Sequence, residues 1–144
     1  MGLLKIAHVP PAVVEPTATV LEAIQVMAEE GVGAVAVAEN GKFLGIFTER
    51  DVMLRVVLRE RRPRETLVKD VMTSPAETVS RDMAFEDALK FMLDRHVRHL
   101  PVVGPDGKIQ AMLSIRNLLE QMVEGLQREV HSLDQYLSND GPGG

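Results

Sequence analysis

Gly45-Ile46-Phe47-Thr48-Glu49-Arg50-Asp51 and Ala111-Met112-Leu113-Ser114-Ile115-Arg116-Asn117 are two versions of one phrase. In each, an apolar run ends on a hydroxyl residue, and an Asp or Asn follows three positions later. The agreement extends backwards from these segments through a unit written twice, the signature of an internal repeat. Val14/Val79, Ala23/Ala88, Met27/Met92, Val32/Val97 and Val37/Val102 match at an offset of 65. One extra residue in the second copy, Asp106, moves the offset to 66 for Gly41/Gly107, Lys42/Lys108, Thr48/Ser114 and Arg50/Arg116. Pro10/Pro75 carries the match upstream.

Each copy predicts the same order of elements. A helix over Thr19 to Glu30 puts Val20, Ala23, Ile24 and Met27 on one face, and its twin over Ala84 to Arg95 does the same with Phe85, Ala88, Leu89 and Met92. Thr17 and Asp82 are the expected caps. Strands follow over Ala34–Ala38 and His99–Val103, then turns at Asn40-Gly41 and Asp106-Gly107, then strands over Phe43–Phe47 and Ile109–Leu113. Asn-Gly and Asp-Gly between apolar runs are strong hairpin signals. A helix closes each unit, from Glu49 to about Arg59 and from Ile115 onward. The fold class is α+β, two α-β-β-α units with short sheets. The expected division is repeat 1 over 5–62, repeat 2 over 63–124, and a C-terminal helical extension with a mobile tail over 125–144.

The bulk numbers bound what such a chain does. It has 144 residues, 45% of them apolar, so one shared core can be buried. Aromatics are 3%, which leaves the core to Val, Leu, Ile, Ala and Met. The formal charge of −5 argues against nucleic acid as a partner. The absence of cysteine excludes disulfides and Cys-ligated metals. Apolar runs too short to span a bilayer and an N-terminus unlike a signal peptide point to a cytoplasmic protein without membrane insertion. His8, His96 and His131 stand in no metal-ligand pattern and read as structural or surface residues. The Arg59, Arg61, Arg62 and Arg64 cluster around Pro63 reads as a solvated linker. From Asn117 to Leu137 the residues Leu118, Met122, Leu126, Val130, Leu133 and Leu137 form one helical stripe, which the module or a dimer mate has to cover. A partner-docking helix is the alternative, and 138–144 reads as a mobile end.

The paired segments quoted above, with Val71-Met72-Thr73 and Arg98-His99-Leu100-Pro101-Val102-Val103, resemble the cystathionine-β-synthase (CBS) domain in its tandem form. The likeness covers about residues 5 to 124. It implies two repeats related by a pseudo-twofold axis, a stand-alone regulatory module, a flat homodimer and an unidentified regulated protein. It also implies two clefts, each taking its Thr/Ser-x-x-Asp motif from one repeat and a base-binding wall from the other. On that pattern the first cleft joins Thr48, Arg50 and Asp51 to Ala76, Glu77, Thr78, Val97, Arg98, His99 and Pro101. The second joins Ser114, Arg116 and Asn117 to Ala12, Val13, Val32, Gly33 and Ala34.

The expected ligand is an adenine nucleotide: AMP, ADP or ATP. A carboxylate at Asp51 accepts from a ribose diol, the free N–H groups of a helix start favour anions, and Arg98 and His99 suit phosphate. Read alone, Thr48 and Asp51 are equally a helix cap and a dipole complement. In the second cleft Asn117 replaces the acidic residue, and Gly33 and Ala34 stand where the first has Arg98 and His99. That cleft is expected to be empty or weak, with Arg116 free to reach across. No nucleophile–base grouping, P-loop or metalloprotease motif is present, so no enzyme activity is expected and no cofactor is required. A ligand-independent scaffold and an S-adenosylmethionine or NAD sensor remain alternatives.

Overall fold

The computed structural model describes residues 2–139. Repeat 1 runs β1 (Val13–Val14), α1 (Val20–Glu30), β2 (Ala34–Glu39), β3 (Lys42–Thr48) and α2 (Glu49–Asp51), which passes into a π-helical segment over Val52–Val57. Repeat 2 runs α3 (Phe85–Arg95), β4 (His99–Val103), β5 (Ile109–Ser114) and α4 (Ile115–Asn139). Strand β1 pairs parallel with β2, and β2 pairs antiparallel with β3. Strands β4 and β5 form the second antiparallel pair, and Val79 bridges Val102 in parallel as Val14 bridges Val37. The predicted hairpin signal appears at Asn40 and Gly41, both with positive φ, the backbone a two-residue primed turn demands.

Repetition reaches single bonds. The register shifts between Val37 and Ala38 and again between Val102 and Val103, at the same offset of 65. The two hairpins meet reciprocally: Phe43 N–H donates to the Gly107 carbonyl at 2.9 Å, and Ile109 N–H donates to that of Gly41 at 3.1 Å. Each bond is the image of the other, so a pseudo-twofold axis passes between the hairpin tips. The lead-in segments obey the same symmetry. Thr73 exchanges two backbone bonds with Ile46, and His8 exchanges two with Met112.

Each β-face has its own partner. Val35, Val37 and Phe47 join Val20, Ala23 and Met27 of α1 in one core; Leu100, Val102, Ala111 and Leu113 join Ala88 and Met92 of α3 in the other. The opposite faces, through Ala34, Ala36, Ile46 and Met112, pack together between the repeats. That explains why β2 is buried on both sides and reads as a continuous apolar run. The lead-ins cross over. Leu3 is fully buried in the second core, and Val68 and Val71 are buried in the first.

Three local expectations are corrected. Thr19, rather than Thr17, caps α1 by accepting from the N–H of Glu22 at 3.2 Å. Ala84 occupies the equivalent place on α3 and provides no side-chain cap, while Asp82 is tied to Ser80. The helix after β3 is regular for only one turn before widening, which keeps Val56 buried and turns Met53, Val57 and Leu58 outward. The tail beyond Asn139 lies outside the described residues, so the expected mobile end is left with the sequence. Among the described residues no helix is long and apolar enough to cross a membrane.

Candidate functional site

Thr48 holds extended backbone at the end of β3, and its hydroxyl accepts the Asp51 N–H at 3.2 Å. The Asp51 carboxylate replies by accepting the Thr48 N–H at 3.0 Å, which completes a reciprocal cap. Its other oxygen accepts from the Thr73 hydroxyl at 3.0 Å, and Arg55 stands 3.6 Å away, one helical turn on. Asp51 is only 6% exposed. Its acceptor capacity is spent inside the protein. Arg55 also donates to the Met72 carbonyl at 2.7 Å, so Asp51 and Arg55 together clamp the segment that leads into repeat 2.

The twin corner has the same backbone and a different chemistry. The Ser114 N–H donates to Asn117 Oδ1 at 2.9 Å, and the Ser114 hydroxyl donates to the same oxygen at 2.9 Å. A backbone N–H only donates, so the atom facing it must be the amide oxygen. The Asn117 NH2 is therefore directed away from the cap as a donor. The equivalent of Thr73 is His8, which turns instead to Glu30 at 3.3 Å and leaves Asn117 without a clamp.

A cavity of about 940 Å³ opens beside this second corner, between the repeats. Its apolar wall comes from Ala12 of the lead-in to β1, from Ile24, Met27 and Ala28 of α1, and from Met112 of β5. Its polar rim holds Arg98, His99, Ser114, Arg116 and Asn117, with the carboxylates Glu30, Glu49 and Glu120. Two of those carboxylates are engaged: Arg116 donates to Glu120 at 2.9 Å, and Glu30 meets His8. Arg98 forms no ion pair among the described residues, and it is exposed. Burial lowers the His99 pKa below the ordinary 6.5; Glu49 partly offsets that and Arg98 adds to it.

The expected grouping is thereby redrawn. Of the residues assigned to the second cleft, Ala12, Val32, Gly33, Ala34, Ser114, Arg116 and Asn117 line the cavity, whereas Val13 lies on the surface. Arg98 and His99 were expected beside Asp51; in the structure they line the cavity beside Asn117, together with Glu49 from the first corner. The reason is the axis itself. Gly33 and Arg98 are symmetry mates, accepting from the N–H groups of Glu49 and Ile115, and a Cβ on Gly33 would stand 3.3 Å from His99. Thr48, Arg50, Asp51, Ala76, Glu77, Thr78, Val97 and Pro101 do not line this cavity. Glu77 is held by Arg95 at 2.7 Å, Ala76 packs between the repeats, Val97 packs on the second core, and Arg50 and Thr78 are exposed. Pro101 is buried, with its carbonyl bonded to Val79.

Sequence reasoning missed Thr73 and Arg55 as partners of Asp51, and Glu49 and Met112 in the cavity. Arg55 was findable from its i,i+4 spacing to Asp51. Met112 was findable as the residue of β5 out of phase with buried Ala111 and Leu113.

An α+β module of two symmetry-related repeats with a cleft at their junction is the class this fold defines. The CBS-domain profile matches residues 5–58 and 68–124, and the chain belongs to the CBS-domain family, in two tandem copies. CBS domain-containing protein YhcV of Bacillus subtilis is 36% identical over 98 residues, 68% of this chain and 69% of that one. An uncharacterized protein of Methanopyrus kandleri is 32% identical over 126 residues, 85% of this chain; the chain spans 64% of that relative's length. Among solved structures, a CBS domain protein from Pyrobaculum aerophilum complexed with AMP superimposes with a TM-score of 0.73 at 25% identity. That match covers 81% of this chain and 89% of the other.

Proposed function

We propose that this CBS pair is a regulatory module that binds an adenine nucleotide in the cavity at Ser114–Asn117. The observation that carries the reading is the cavity itself. It has the size of a small-molecule site, an apolar wall on one side and a few convergent polar groups on the other. The base lies against Met27, Ala28 and Met112; the Asn117 amide and the Ser114 corner meet the ribose; Arg98 and Arg116 meet phosphate. Arginine suits that last role because its guanidinium is a fixed fork of charged donors. Arg98, which has no ion-pair partner among the described residues, gives a phosphate a charged donor, and that ranks phosphate-bearing ligands above S-adenosylmethionine. The AMP complex of the Pyrobaculum aerophilum protein supports the adenine assignment.

Binding between repeats gives a route to regulation. A ligand that favours one angle between the repeats shifts a partner protein that reads that angle. The reading includes self-association, because the apolar stripe on α4 is exposed and needs cover. It includes no catalytic step.

Thermal unfolding with AMP, ADP, ATP, NAD, S-adenosylmethionine and GTP tests the proposal. A ligand at about a hundred times its Kd adds about 2.7 kcal/mol, a shift of several degrees for a chain this size. The expected result is a shift with an adenine nucleotide. No shift with any of the six would leave the scaffold reading in its place.

A further inference from the structure

Beyond Gly125 the chain leaves the body of the module. Leu118 is fully buried in the second core, and every residue from Leu126 to Leu137 is exposed. That arm is about 18 Å long at about 1.5 Å per residue. The arm continues the 25-residue helix α4, and its apolar residues stay in water unless something packs on them. The body of the chain does not.

Six of the exposed apolar residues of α4 have a spacing of their own, and the other two, Met122 and Tyr136, fall at the flanking g positions of that same repeat. Leu119, Val123, Leu126, Val130, Leu133 and Leu137 are each half exposed or more. Their intervals alternate four and three, which is a heptad repeat. Leu119, Leu126 and Leu133 take the d positions; Val123, Val130 and Leu137 take a. Gln121, Glu124, Arg128, His131, Ser132 and Gln135, all on the outer positions, carry no large apolar group.

We infer that α4 pairs with α4 of a second copy of this chain as a parallel, two-stranded coiled coil over residues 119–137. Two of the three a positions are valine and every d is leucine, and β-branched residues at a with leucine at d favour two parallel strands. The alternation holds without a break over five intervals, from Leu119 to Leu137, as a seam against a second α4 needs. One feature opposes the pairing: Glu129 at g meets Asp134 at e of the partner helix, so the association is weakened by like charge. The inference deepens the self-association reading and is independent of nucleotide binding.

Sedimentation velocity on the full chain over a concentration series is the test, joined to disulfide trapping in a protein that has no cysteine of its own. Wild type is expected to be a dimer. The double variant L126D/L133D should raise its dissociation constant about a hundredfold or more, and leave the thermal midpoint of the body and any nucleotide-induced shift in place. E129K converts two repulsive pairs to attractive ones and should tighten the dimer several-fold. Val130→Cys should cross-link on oxidation, since Val130 faces its own copy, and Gln135→Cys on the outer face should not. A wild type that stays monomeric overturns both the coiled coil and the self-association reading. A dimer that survives L126D/L133D overturns the coiled coil and leaves self-association standing. Loosening by E129K, or cross-linking through Gln135→Cys with none through Val130→Cys, overturns the parallel arrangement.

Discussion

At Thr48 and Asp51 a buried carboxylate answers to four groups of its own chain; at Ser114 and Asn117 a neutral amide answers to one residue and keeps a donor for something else. The backbone is the same at both corners, down to the capping geometry. The difference lies in one atom of the side chain and in the lead-in residue opposite, Thr73 at the first and His8 at the second. A carboxylate invites donors, and the fold provides them, so the acidic corner becomes a clamp. The amide draws no second partner, so the neutral corner stays open beside a cavity. The more strongly charged motif is therefore tied up within its own chain, and the weaker one borders the cavity proposed above as the ligand site.

Removing the clamp should do the greatest damage. Asp51→Ala strands the Thr48 N–H and the Thr73 hydroxyl at a buried site and should cost about 2–4 kcal/mol. Asn117→Ala removes a cap alone and should cost about 1 kcal/mol. Urea midpoints at unchanged m-value give both numbers, and equal losses would dissolve the distinction between the corners. The ligand side of the comparison is sharpened by Arg98→Ala, which should weaken nucleotide binding about ten- to a hundredfold, with stability near wild type. An unchanged Kd by calorimetry would remove Arg98 from the site.

Two glycines divide in the same way. A Cβ on Gly45 would stand 2.7 Å from the Thr73 carbonyl, a backbone atom of the clamped segment, so Gly45→Ala should cost about 1–3 kcal/mol in urea unfolding. A Cβ on Gly33 meets the end of the Glu49 side chain at 2.8 Å, which swings aside, and Gly33→Ala should be tolerated. Equal costs would contradict this assignment of rigid and open corners.

His99 supplies a pH handle on the open side. Its folded pKa lies below the ordinary 6.5, mainly through burial, so below that pH the unfolded chain binds a proton that the native state resists. The stability this residue contributes is complete above pH 6.5 and declines as pH falls toward the lowered value. His99→Asn should flatten that part of a pH series of thermal midpoints; an unaltered slope would place the titration elsewhere. The smallest effect is expected at Gly125, which lies in α4 with open space where a Cβ would go. Gly125→Ala should add about 0.5–1 kcal/mol of helix stability, read as local hydrogen-exchange protection of α4.

The sequence carried the repeat, the element order and the family, because each rests on periodicity and on offsets that survive without a third dimension. Val14/Val79 and Val37/Val102 were legible as matched pairs and became matched bridges. The Thr19-to-Glu22 capping signal was also there to be read. What was not legible is which corner Arg98 and His99 stand beside. They lie beside the pseudo-twofold axis, where one residue's neighbours come from both repeats at once, and spacing along the chain says nothing about the side of an axis. Nor could a linear reading see that Thr73, counted as a lead-in to repeat 2, spends its hydroxyl on the motif of repeat 1.

An amide chemical-shift titration of the full chain with AMP tests most directly whether the neutral corner is the ligand site. The account predicts the largest shifts at Val32–Ala34, Arg98 and Ser114–Asn117, with Thr48, Asp51 and Thr73 nearly still. Shifts centred on Thr48–Asp51 and Ala76–Thr78, with Ser114–Asn117 unmoved, would contradict it and return the nucleotide to the acidic corner.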